Sequence, residues 1–257
     1  MAFMYFDESI HAAAGFIVGA WAVWQEDPTS RIDAGLKDAG LRPGLEEFKS
    51  GARMTGNEAM IRARGALHDV LRNSRIGVVV VPSKCRSNLG QEAVRGLHKI
   101  LSTSDLGISG HDVFFDQGLI SDRRPFDELV QDLGLAGCHM HVEQNSVTVL
   151  GLQAADLVAH TCATMLLSQM GFVTKRVKAG EYSGYEPDDD IDLGFLLWAS
   201  LRWNFFAAPP PPFAKGEEPS FEADVASRGL FVANTASDDL RSAAHARFGT
   251  MYLGCIH

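Results

Sequence analysis

Four acidic residues lie where a charge is costly. Asp7 follows the apolar run Met1–Phe6, and Asp116 closes Asp112-Val113-Phe114-Phe115-Asp116. Asp156 interrupts the apolar stretch Gly151-Leu152-Gln153-Ala154-Ala155-Asp156-Leu157-Val158-Ala159, and Glu47 stands in Glu46-Glu47-Phe48-Lys49-Ser50. A buried carboxylate without a partner costs several kcal/mol or takes up a proton. Helix capping or a surface ion pair accounts for any one of these acids. Four that converge define a site for hard divalent cations, which take oxygen ligands. Lys49, two residues from Glu47, would share its side of an extended segment and could neutralise phosphate charge.

The elements that must carry these acids can be read from the pattern. Residues 2–7 and 14–24 read as strands joined by a short link, an antiparallel hairpin. Residues 29–40 read as a helix with Asp27 and Thr29 as caps and Gly40 as its stop. Residues 45–50 read as a short strand carrying Glu47 and Lys49. Asn57 opens a helix reaching about Asn73, and the β-branched run Ile76–Val81 reads as a strand buried on both faces. Then follow a helix over 88–103, a strand over 112–116, a helix over 125–133, a strand over 138–143 and a long helix over 150–170. Three opening strands followed by alternating helices and strands indicate an α/β (α+β) domain with a mixed sheet, spanning 1–170. The remainder, 171–257, is a looser extension packed on or near that domain. Its expected helices are 193–205 and 237–248, with a stiff connector at Pro209-Pro210-Pro211-Pro212.

Composition narrows the class. The chain has 257 residues, 46% hydrophobic and 21% charged, ordinary values for a soluble globular protein. The four scattered cysteines form no Cys-x-x-Cys pair, which argues against structural zinc and for a reduced, cytoplasmic setting. The start carries no basic region ahead of an apolar stretch, unlike a signal peptide, and no apolar run is long enough to span a membrane. The net charge of −9 argues against a protein that coats nucleic acid. Yet residues 51–100 hold nine basic against three acidic side chains, a net of +6. Such a segment suits a phosphate-bearing substrate, or else marks helices with solvated Arg faces.

The chain resembles a bacterial and phage domain-of-unknown-function family whose members open with a Tyr-x-Asp-Glu-Ser-Gly strand and close with a Leu-Gln-x-Ala-Asp-Leu helix. The matching pieces are Tyr5-Phe6-Asp7-Glu8-Ser9, Glu47-Phe48-Lys49, Phe114-Phe115-Asp116 and Leu152-Gln153-Ala154-Ala155-Asp156-Leu157, with Ile10 in place of the family's Gly. The resemblance implies a ribonuclease H-like fold and a metal-dependent nuclease. In such a sheet the first strand's carboxylate is central and the last acid arrives on a late helix packed across the sheet. Two divalent cations about 4 Å apart would then clamp the attacking and leaving oxygens of a phosphodiester. Asp7 would bridge them, with Glu47, Asp116 and Asp156 each completing a shell. Mg²⁺ suits an all-oxygen site and Mn²⁺ would substitute.

Other features compete. His139, His141 and Glu143 alternate along one strand, a pattern that suits a transition metal or a solvated sheet edge. Gln153, Asp156 and His160 share a helical face, where His160 could carry a proton or lie at the core boundary. Glu8 should point to the strand face opposite Asp7, in a structural role, and Ser9 could be a nucleophile only with a His–Asp partner. A non-catalytic adaptor with the same fold, holding a partner by its acidic tail or polyproline segment, is the alternative to an enzyme.

Overall fold

The computed structural model describes residues 1–54, 56–180, 185–210 and 221–255. Its centre is a six-stranded mixed sheet whose strands lie in the order His139–Gln144, Asp112–Asp116, Phe3–His11, Phe16–Trp24, Arg75–Pro82 and Leu230–Val232. β1 (Phe3–His11), β2 (Phe16–Trp24) and β3 (Arg75–Pro82) form an antiparallel meander. β4 (Asp112–Asp116) lies parallel to β1, and β5 (His139–Gln144) parallel to β4 at the edge. With β1 inside the sheet and a late helix across it, this is the mixed α/β sheet flanked by helices that the sequence pattern implied. β2 is buried along its whole length, which its uninterrupted apolar sequence Phe16–Trp24 requires.

Two helical layers cover the sheet. On one face, α1 (Thr29–Asp38), α2 (Glu58–Leu71) and α5 (Gly151–Gln169) pack over Tyr5, Val18, Ala20 and Val78. On the other, α3 (Leu89–Thr103) and α4 (Arg123–Asp132) pack over Met4, Phe6, Trp21 and Phe115. The caps follow the sequence: Asn57 Oδ1 accepts from Met60 N at 3.2 Å, and Asp27 Oδ1 accepts from Thr29 N at 2.9 Å. α5 crosses β1 closely because Gly151 has no side chain there; an added Cβ would enter the Tyr5 ring.

Three local expectations change. β1 runs to His11, so Asp7 lies within the strand, opposite Ala20 of β2, instead of at its end. Residues 45–50 form no strand. The Phe48 and Ser50 amides bond to side chains of α5 and those of Leu45 and Glu46 turn back to Arg42 O, so the third member of the meander is β3. The residues beyond 170 are also knitted into the domain. They supply β6 (Arg176–Lys178), β7 (Asp190–Asp192), α6 (Leu193–Leu201), β8 (Glu222–Asp224), β9 (Leu230–Val232), α7 (Asp238–Phe248) and β10 (Thr250–Tyr252). β9 pairs in parallel with β3 as the sixth strand, and Phe205, Leu240 and Phe248 join the core beneath α5. Pro211 and Pro212 of the polyproline run lie outside the described residues.

Candidate active site

Strand register brings the first two acids together. Phe6 of β1 pairs with Phe115 of β4 in parallel, so Asp7 and Asp116 occupy the next positions side by side on the face that α5 covers. Strands lie about 4.8 Å apart, so two carboxylates in that relation repel one another. Asp156 comes from α5, whose Leu152, Ala155 and Ala159 are buried in the core and fix the helix rotation.

The loop between α1 and α2 supplies the fourth acid, and α5 positions that loop. Gln153, fully buried, accepts from Phe48 N at 2.9 Å and donates to Ser146 O at 2.8 Å. One turn later Asp156 accepts from Ser50 N at 2.8 Å and from Ser50 Oγ at 2.7 Å. Alternate amides of the loop, Phe48 and Ser50, thus meet side chains three residues apart on a helix. Glu47 accepts from Ser146 Oγ and forms an ion pair with Lys49 Nζ at 2.7 Å. Lys49 does neighbour Glu47, as their spacing implies, although a stapled loop and no strand face brings them together. Ser50 and Ser146 carry no sequence signal, whereas Gln153 is legible as a member of the Asp156 face.

Electrostatics ties the acids into one site. Asp7 is 5% exposed, and among the described residues it has no ion pair; its Oδ1 accepts from Glu8 N at 2.7 Å. Burial first, then the charges of Asp116, Asp156 and Glu8, push its carboxyl up to about 9. Burial also raises Asp116, which is drawn down by the Gln117 amide and Lys49 and pushed up by Glu47 and Asp156. Lys49 is the internal counter-ion: burial pulls its ammonium down, but the Glu47 bond and the charges of Asp156 and Asp7 leave it above its ordinary range. Glu8 departs from the structural role that alternation assigns it. Its carboxyl is raised by burial, eased by a hydrogen bond with Asp7, raised further by Asp116 and eased by Arg86. It therefore belongs to the same charge cluster, as the fifth acid.

The acids share a neighbourhood without closing into a coordination shell. Among the described residues no three His, Cys, Asp or Glu side chains are gathered closely enough to hold a metal ion. The reason is in the bonding above: both Asp156 oxygens are taken by Ser50, and Glu47 is taken by Lys49 and Ser146. The donor chemistry fits a hard cation nonetheless, since every converging group is an oxygen acid and Asp7 forms no ion pair among the described residues.

The rival histidine pattern resolves differently. His141 Nε2 and His139 Nδ1 lie 3.0 and 3.3 Å from Asp112 Oδ1 at the exposed sheet edge. Glu143 does not join them. A register shift between Phe114 and Asp116 and a positive φ of 54° at Glu143 turn it to accept from Gly118 N at 2.9 Å. Ser9 Oγ lies 3.1 Å from His11 Nε2, a pair the strand's alternation permits. His160, half-buried, has its imidazole lowered by burial, raised by Asp156 and lowered by Arg64.

Comparison with known proteins gives no match among family models or curated proteins. Among solved structures the chain is similar to ribonuclease H2 from Pyrococcus horikoshii OT3, at 16% identity over 73% of this chain and 80% of that one, with a TM-score of 0.41. It is also similar to the ribonuclease HII in a complex with PCNA from Archaeoglobus fulgidus, at 15% identity over 73% of this chain and 84% of that one, with a TM-score of 0.36. No helix among the described residues is long and apolar enough to cross a membrane.

Proposed function

We propose that this protein is a divalent-metal-dependent phosphodiesterase acting on nucleic acid, and that it belongs to the family its motifs resemble. The observation that carries this reading is Asp7: buried, free of any ion pair among the described residues, and pushed up to about 9 by its own desolvation and by the acids around it. Such an arrangement lowers stability unless a cation relieves it, and costly charge clusters concentrate at functional sites. Asp7, Asp116, Asp156 and Glu47 would hold Mg²⁺ or Mn²⁺, with Glu8 next to them. Bound there, the cations would supply an activated water and a counter-charge for the departing oxygen.

The chain's own residues account for the rest. Ser50 and Gln153 hold the Glu47 loop against α5, so that Lys49 presents an ammonium beside the carboxylates, where a phosphate oxygen would meet it. Binding a cation requires Asp156 and Glu47 to exchange their present hydrogen bonds for it. The burial of Asp7 against β2 and β4 keeps bulk water from that side of the site.

The test is cleavage of labelled single- and double-stranded DNA and RNA, with Mg²⁺, Mn²⁺ or chelator. We expect metal-dependent cleavage that Asp7→Asn and Asp156→Asn each abolish. Cleavage surviving both substitutions would end the proposal; metal-independent binding of a partner protein without cleavage would favour the adaptor.

A further inference from the structure

A groove opens beside the acids and is lined by cations. It has a volume of about 900 Å³ and lies between α2, α5, β6 and α6. It is continuous with the carboxylates: Ser50, which holds both Asp156 oxygens, lines it, and so does His160, one turn beyond Asp156. Arg64 and His68 of α2 and Arg72 at its C-cap form one wall, and Lys175 and Lys178 of the C-terminal extension form the other. Arg72 has Asp69 at 3.3 Å and Lys178 has Asp190 at 3.1 Å, but Arg64 and Lys175 have no ion pair among the described residues. The floor is apolar, made by Leu157, Leu197 and Leu201.

We infer that this groove binds a single nucleic-acid strand running away from the carboxylates, with its phosphates on Arg64 and Lys175 and its bases against the leucine floor. The inference rests on the proposed nuclease reading and adds the path of the substrate. Cations along a groove follow a strand's backbone without sequence preference; the leucines add apolar contact where other strand-binding grooves use aromatic rings. The groove falls in the size class of small-ligand pockets, which excludes a duplex. Burial first holds His68 and His160 below the ordinary imidazole range, which favours the neutral ring that can both donate to and accept from base edges. The extension beyond residue 170 thereby builds half of the binding surface.

The test uses full-length protein carrying Asp7→Asn, which prevents cleavage, and fluorescence anisotropy with a labelled single-stranded oligonucleotide. Adding Arg64→Gln with Lys175→Gln should weaken binding at least tenfold and flatten the salt dependence of log K by about 1.4, the value for two phosphate contacts on a single strand. Arg64→Lys should keep most of the binding. Arg123→Gln with Arg124→Gln on α4, on the other sheet face, is the charge-matched control and should change little. Equal loss in the control, or undiminished binding by the groove variant, overturns the inference. So does an Asp7→Asn protein that binds only duplex. These outcomes leave the nuclease reading standing if wild type still cleaves with metal. Groove-dependent binding by a wild type that never cleaves would remove the nuclease reading and keep the groove.

Discussion

Replacing Asp7 with Asn should stabilise the metal-free protein, and the gain should grow with pH. The Asp7 carboxyl is raised from 3.8 to about 9 in the folded chain. Between those values the folded protein keeps the proton that the unfolded chain has released, so stability falls as pH rises, by about 1.4 kcal/mol per pH unit for one such group. Stability from this group is fully present below 3.8 and is lost by the time pH passes about 9. The penalty is roughly 2 kcal/mol near pH 5 and roughly 6 kcal/mol near pH 8. Asn carries no charge and can still accept from Glu8 N, but a buried amide has its own desolvation cost. Recovery of about half gives a melting temperature about 2–4 °C higher near pH 5 and about 6–12 °C higher near pH 8. Scanning calorimetry of both proteins in chelator across that range is the assay. A gain that does not change with pH, or a variant that melts lower than wild type near pH 8, would refute the argument that burial and neighbouring acids disfavour the Asp7 charge.

Mg²⁺ or Mn²⁺ should raise the melting temperature of wild type, by about 2.7 kcal/mol of stabilisation at a hundredfold excess over Kd, and leave Asp7→Asn nearly unmoved; equal shifts in both would place the cation elsewhere. Gln153→Leu should cost about 1–3 kcal/mol by leaving the buried Phe48 amide unpaired, measurable by denaturant titration, and should lower cleavage by loosening the Glu47 loop; unchanged stability would mean the loop holds without α5. His139→Ala with His141→Ala should leave metal-dependent cleavage intact, since those rings meet Asp112 at the sheet edge; loss of cleavage would revive a histidine-ligated centre. Gly151→Ala should destabilise and reduce activity together, because its Cβ would meet the Tyr5 ring and push α5 off β1; a neutral result in melting and cleavage would show that the crossing is not tight.

The sequence made the sheet legible because its strands are either uniformly apolar, as Phe16–Trp24 and Ile76–Val81, or apolar and closed by an acid, as Asp112–Asp116. The helix start at Asn57 was legible from its capping side chain, which acts within one turn. Residues 45–50 misled: a loop whose Phe48 and Ser50 amides bond to Gln153 and Asp156 has the same local composition as a strand that pairs. Glu8 misled for a related reason. Alternation sends it to the far face, but where β4 ends beside Asp7 nothing separates the two carboxyls, and Glu8 bonds to Asp7 and feels Asp116. The basic run 51–100 divides in space. Arg64 and Arg72 line the groove, Lys99 donates to Ala226 O and Leu230 O, and Arg95 pairs with Glu92.

Residue type and local spacing alone determined that this chain forms a mixed α/β sheet and that Asp7, Asp116 and Asp156 stand where a charge is costly, because burial pattern and helix or strand period are properties of neighbours in sequence. Whether those acids meet, that Lys49 is their counter-ion, and that the residues beyond 170 complete both the sheet and a cationic groove were decided only in three dimensions. Those relations join positions a hundred or so residues apart, such as Ser50 with Asp156, through side-chain bonds that carry no periodicity along the chain.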